Sequence, residues 1–165
     1  MWNLFIVVFV VAAAVYDIWR GKIPKAVTIT GFFAGLVFQW FQGNVLSAIG
    51  TALLGLLIGV ALFSLGAIGG GDVKLVGALG AMLGFWVWVR AMEVAIFVAA
   101  GMAVIQVIRH RAVRQTFRNM GSIVAGLFTK GWSAHPTINV SNQSLIRSPF
   151  GLAAAIGTVV AIWRP

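Results

Sequence analysis

From position 2 to position 163 the chain alternates long apolar runs with short polar breaks. Cut at charges and turn residues, it yields six apolar stretches, about 2–18, 26–41, 45–68, 73–89, 92–108 and 149–163. A helix of roughly 20 apolar residues spans the hydrocarbon core of a bilayer, so the pattern predicts an all-α, polytopic membrane bundle of about six transmembrane helices. The shorter stretches draw on flanking residues, sit in thinned bilayer or re-enter. One membrane domain over 1–165 is expected. The first stretch, MWNLFIVVFVVAAAV, has no basic residue before it and positive charge after it. It is therefore read as a retained span rather than a cleaved leader.

Composition turns this from one option into the only workable one. Hydrophobic residues make up 61% of the chain and charged residues 9%, against about 25% charged in an average soluble domain. Mean hydropathy is +1.00. A water-soluble fold of this length lacks the polar side chains to cover its surface. The chain has no cysteine, which removes disulfides and thiolate metal sites.

A formal net charge of +9 raises the question of nucleic acid, but the basic residues do not interleave with aromatics on a polar face. They fall in the gaps between apolar runs. Arg20, Lys22, Lys25, Lys74, Arg109, Arg111, Arg114, Arg118, Lys130 and Arg147 occupy alternate gaps, and only Arg90 and Arg164 occupy the others. Basic residues concentrate in cytoplasmic loops, so the N-terminus is predicted outside and the gaps after the first, third and fifth spans in the cytoplasm. Trp2, Trp40, Trp86, Trp88 and Trp163 then belong to the outer aromatic belt and Trp19 to the inner one. The longest gap, 109–148, is a basic cytoplasmic loop whose first part, RHRAVRQTFR, suits anionic lipid headgroups. His110 and His135 stand 25 residues apart with no acid or thiol beside them and are read as surface residues; no metal site is expected. The glycine pairs Gly31/Gly35, Gly55/Gly59 and Gly80/Gly84 have the spacing that lets helices approach closely.

Only three carboxylates occur: Asp17, Asp72 and Glu93. Glu93 follows Arg90 by three residues, the spacing of an ion pair along one helix face. Asp17 ends the first span and Asp72 begins the fourth, with two spans between them. Both therefore open on the same membrane face, whatever the absolute orientation. Each has a simple structural explanation: Asp72 caps the fourth helix, and Asp17 pairs with Arg20 or Lys22 in solvent. Taken together they point to chemistry, because two carboxylates sharing one site hold a proton between them and divide the work of acid and base. Such a pair activates a water against a peptide carbonyl and protonates the departing amine. Gly69, Gly70 and Gly71 before Asp72 would let a substrate strand approach and would permit turns forbidden to other residues. Lys74 balances charge or binds headgroup phosphate.

The segment GGGDVKL, Gly69 to Leu75, resembles the Gly-x-Gly-Asp motif of the bacterial type IV prepilin peptidases, which are membrane aspartic proteases. YDIWRGKIPK, Tyr16 to Lys25, is similar to the family's first aspartate with its basic, proline-containing turn. PFG, Pro149, Phe150 and Gly151, is similar to a late element before the last span. The resemblance implies catalytic roles for Asp17 and Asp72 and supporting roles for Gly69, Gly70, Gly71, Lys74, Pro149, Phe150 and Gly151. It implies an inner-membrane endopeptidase of pilus biogenesis, without a cofactor, that removes the basic leader of prepilins at the cytoplasmic face. The chain lacks the N-terminal region and four-cysteine zinc element of the larger members, so it resembles the short, peptidase-only branch of tight-adherence (Flp-type) pili; archaeal preflagellin peptidases are neighbours. Two other classes suit the same features: a small proton- or cation-conducting protein using the two aspartates, and a silent scaffold docking pilus machinery through its basic loop.

Overall fold

A computed structural model describes residues 1–20, 23–64, 68–109 and 150–163. Within them the chain forms six helices: α1 (Trp2–Arg20), α2 (Lys25–Phe41), α3 (Val45–Ser64), α4 (Gly70–Leu83), α5 (Phe85–Arg109) and α6 (Phe150–Trp163). Three of them, α1, α3 and α5, are long and apolar enough to cross a membrane; α2 and α6 are shorter apolar helices. The basic loop beyond Arg109, with His110, His135 and Pro149, lies outside the described residues, as do Lys22 and Arg164.

The breaks between helices have local causes. Pro24 precedes α2 with φ −59 and ψ 137, geometry its ring favours, and it contributes no N–H to leave unpaired. Gly43 ends α2 by turning left-handed (φ 73), so that the Asn44 N–H bonds back to the Gln39 carbonyl at 2.9 Å. Gly84 does the same after α4, with φ 71, and α5 starts at once, its Trp88 N–H donating to the Gly84 carbonyl at 3.0 Å. The fourth and fifth spans therefore part at Gly84 and not at Arg90, which lies inside α5. A charge reads as a boundary in a hydropathy pattern, but a helical backbone tolerates an arginine and does not survive a left-handed residue.

Helix α4 is the centre of the bundle. Ten of its fourteen residues, Val73 and Leu75 to Leu83, are buried, and it lies between α2 and α3 while α6 lies between α1 and α5. In lipid the hydrophobic effect does not hold such helices together, because acyl chains are as apolar as leucine; close packing does. The contacts show it. A side chain at Gly80 would stand 2.8 Å from the Thr51 carbonyl oxygen of α3, and one at Gly59 would stand 3.0 Å from the Val73 side chain. A side chain at Gly35 of α2 would stand 2.8 Å from the backbone of Ala81 and Met82, and one at Gly157 of α6 would run into the backbone of Ala91 and Ala95 on α5. Gly84 takes no part in this packing; its role is the helix break.

Two polar side chains finish the far end of α4. The Met82 carbonyl, one of the last-turn acceptors a helix leaves unpaired, receives Trp2 Nε1 at 3.3 Å and Gln39 Nε2 at 3.4 Å. Trp2 also stacks flat on Phe38, with ring centres 3.9 Å apart. Trp88 departs from the aromatic-belt expectation. It is 4% exposed, and its Nε1 donates to the Val76 carbonyl at 3.1 Å, whereas Trp86, two residues earlier, is 74% exposed.

Candidate active site

Asp17 lies in the last turn and a half of α1, half-buried. Its Oδ2 accepts a hydrogen bond of 2.7 Å from the backbone N–H of Gly151, 134 residues away in the first turn of α6. That donor is one of the first-turn N–H groups that no carbonyl of its own helix can reach. A carboxylate there gains from both the donor and the positive end of the helix dipole. The aspartate of YDIWRGKIPK and the glycine of PFG are thus in contact.

Asp72 stands in the first turn of α4, also half-buried. Its Oδ2 accepts from the Gly69 N–H at 3.0 Å, and its own N–H donates to the Gly69 carbonyl at 3.0 Å. The cap is therefore real, with the carboxylate reaching back over the start of its helix. Gly69 has φ −83 and ψ 156, open to any residue, and Gly70 and Gly71 are helical. The expected forbidden turn is absent from this glycine run. Nor does packing demand glycine there: the nearest atom to a side chain added at Gly70 is on Phe63 at 3.8 Å, and at Gly71 on Ile23 at 3.5 Å, both ordinary contacts. Glycine within a helix costs roughly 0.5–1 kcal/mol against alanine, so the first turn of α4 is weakened for no reason that packing among the described residues supplies.

Ile23 connects the two arms. It follows α1 by three residues, is 7% exposed and packs into the core, and its backbone and Cβ face Gly71. Through it the end of α1, the start of α4 and, by way of Asp17, the start of α6 gather at one end of the bundle. Nothing in the sequence reading singled out Ile23; the only signal is an apolar residue lodged between Lys22 and Pro24 in a basic turn. Lys74 is exposed on α4, and Phe150 is half-buried beside Gly151. Among the described residues no three metal-ligating side chains cluster.

The meeting of the arms has a direct check, because the chain has no cysteine of its own. A Cβ at Gly71 would lie 3.6 Å from that of Ile23, within the 3.5–4.5 Å that a disulfide spans. The double variant Ile23→Cys/Gly71→Cys is expected to close that disulfide under mild oxidation in membranes, seen as loss of both free thiols and a cross-linked peptide by mass spectrometry. Two thiols that stay fully reactive would contradict the arrangement.

Residues 4–107 of the 165 match the model of the type IV leader peptidase family. The matched segment includes both Asp17 and Asp72 and ends before Gly151. No curated protein and no solved structure matches the chain.

Proposed function

We infer from the chain's family, the type IV leader peptidase family to which it belongs over residues 4–107, that Asp17 and Asp72 are its catalytic pair. The family is one of inner-membrane aspartic peptidases, and membership implies cleavage of prepilin leader peptides. The finer reading is ours. The N-terminus lies outside, and the end of the bundle that holds the two aspartates faces the cytoplasm. The substrate is a prepilin with a short basic leader followed by an apolar helix, of the tight-adherence type served by peptidase-only enzymes. The apolar helix stays in lipid beside the bundle and the leader stays in water, so only the scissile segment has to be extended across the site.

The chemistry follows from two carboxylates that hold one proton. The ionised member takes a proton from water as the water oxygen bonds to the scissile carbonyl carbon. The protonated member donates to the carbonyl oxygen. Collapse of the tetrahedral intermediate then breaks the C–N bond, with the proton passing to the departing amine. Residues of the resting fold are compatible with this: each aspartate accepts from a backbone N–H, which holds its carboxylate in place. Gly70 and Gly71 supply the room for an extended backbone beside Asp72. Lys74 and the basic residues of the same end meet anionic headgroups, where each contributes about 1 kcal/mol.

The observation that carries the reading is that one family match spans both aspartates. Its test is co-expression with a prepilin-like substrate carrying a basic leader and an apolar helix, with leader removal followed by mass spectrometry. Removal is expected with the wild-type chain and not without it. A chain that leaves the leader in place, yet passes protons in liposomes, would belong to the conducting class instead.

A further inference from the structure

We propose that Gly151 is a positioning residue of this peptidase: its N–H fixes the Asp17 carboxylate, and its missing side chain leaves the space which that carboxylate occupies. The proposal rests on the reading of Asp17 as catalytic.

Three observations carry it. The hydrogen bond from Gly151 N to Asp17 Oδ2 is short, 2.7 Å, and spans 134 residues of sequence, so it is a tertiary contact and not a by-product of a local turn. A side chain at position 151 would put its Cβ 2.9 Å from both Cβ and Oδ2 of Asp17 and 3.2 Å from Cγ, closer than non-bonded atoms approach. No residue but glycine fits there unless Asp17 moves, Cβ and carboxylate together. Gly151 is helical and buried, so its lack of a side chain answers a steric demand made by Asp17 and not a backbone one.

Gly151 is itself held from behind. Six residues on, Gly157 lies against the backbone of Ala91 and Ala95 on α5, and the other side of α6 rests on α1. Helix α6 is wedged between the two, which sets its height and so the height of the Gly151 N–H. Any side chain at 151 meets the Asp17 Cβ as well as its carboxylate, so the end of α1 that carries Asp17 has to shift and takes the carboxylate with it. A displacement of that size in a reacting group costs about 10²-fold in rate, and it leaves substrate binding along the rest of the bundle intact.

The test uses the full-length protein in detergent with a prepilin-like substrate, and compares Gly151→Ala with Gly101→Ala, a position with nothing within 4 Å. For Gly151→Ala the expected result is a kcat lower by about 10²-fold, a KM within about threefold of wild type and a thermal midpoint lower by no more than about 4 °C. Gly101→Ala is expected to match wild type. Full kcat in Gly151→Ala would overturn the proposal, and so would a fall in activity that disappears when both proteins are assayed well below their thermal midpoints. Should Gly151→Ala fail to fold, the Gly151 amide of the unaltered protein decides: slow hydrogen exchange that is lost in Asp17→Ala supports the contact, and exchange that Asp17→Ala leaves unchanged overturns it. Asp17→Asn separates the two levels. If that variant is inactive while Gly151→Ala is fully active, only the positioning role fails; if Asp17→Asn cleaves normally, the catalytic reading fails with it.

Discussion

Replacing Asp17 by Asn, or Asp72 by Asn, is expected to stop leader removal, with either change alone lowering the rate by about 10³-fold or more. Asparagine is the informative substitution because it keeps what the structure needs and removes what the chemistry needs. Its side-chain oxygen still accepts from the Gly151 N–H at position 17 and from the Gly69 N–H at position 72, as the aspartates do. It can neither take a proton from water nor hold one for a leaving amine. Alanine at position 72 would lose the carboxylate's hold on the helix start as well, at about 0.3–1 kcal/mol of stability, and would confuse the two effects. The measurement is a time course of precursor and mature substrate by mass spectrometry, with membrane levels of each variant matched by immunoblot. An Asn variant that processes substrate at the wild-type rate would remove that aspartate from the reaction.

The second large effect concerns the fold. Trp88→Ala is expected to lower the stability of the detergent-solubilised bundle by about 3 kcal/mol, the low end of the range for buried tryptophans in soluble cores. The low end applies because lipid, unlike water, does not penalise an apolar surface, so the loss comes from the cavity and the hydrogen bond. Trp88→Phe keeps most of the volume and gives up the bond to the Val76 carbonyl; about 1 kcal/mol is expected. Trp86→Ala, on the exposed side of the same helix, should stay within about 0.5 kcal/mol of wild type. Thermal unfolding followed by intrinsic fluorescence ranks the three. Equal losses at 86 and 88 would mean that both rings serve the same role.

Those two tryptophans mark what hydropathy can and cannot resolve. They are two positions apart, identical in type and embedded in the same run, so the sequence assigned both to the outer belt. About 200° of helical rotation separates them, and which side meets α4 depends on how α5 is turned, a property of the whole bundle. The Arg90 boundary failed for a related reason. Charge is visible in a linear pattern, whereas the left-handed backbone that ends α4 depends on one glycine among many. Where turn chemistry and hydropathy coincide, as at Pro24 and at Gly43, the predicted edge of the second span and the observed helix agree within a residue.

The site was legible in part. Counting acids and crossings put Asp17 and Asp72 on one face, and the contacts of Ile23 with Gly71 bring their two arms to one end of the bundle. The pairing of Asp17 with Gly151 was not legible, because a hydrogen bond between the first helix and the sixth leaves no periodicity to read. The role of the glycines divided in a way sequence could not foresee. Gly55, Gly59 and Gly80 are glycine because another helix is there, while Gly70 and Gly71 are glycine where the fold itself would accept alanine.

The distance along the chain between Asp17 and its partner has a consequence in time. Chains are made at about 5–20 residues per second, so the 134 residues between them take roughly 7 to 27 seconds to emerge. Until α6 has been synthesised and inserted, the first aspartate has no Gly151 to hold it. With Asp17 in the role proposed above, a nascent chain is competent to cleave only after α6 has joined the bundle.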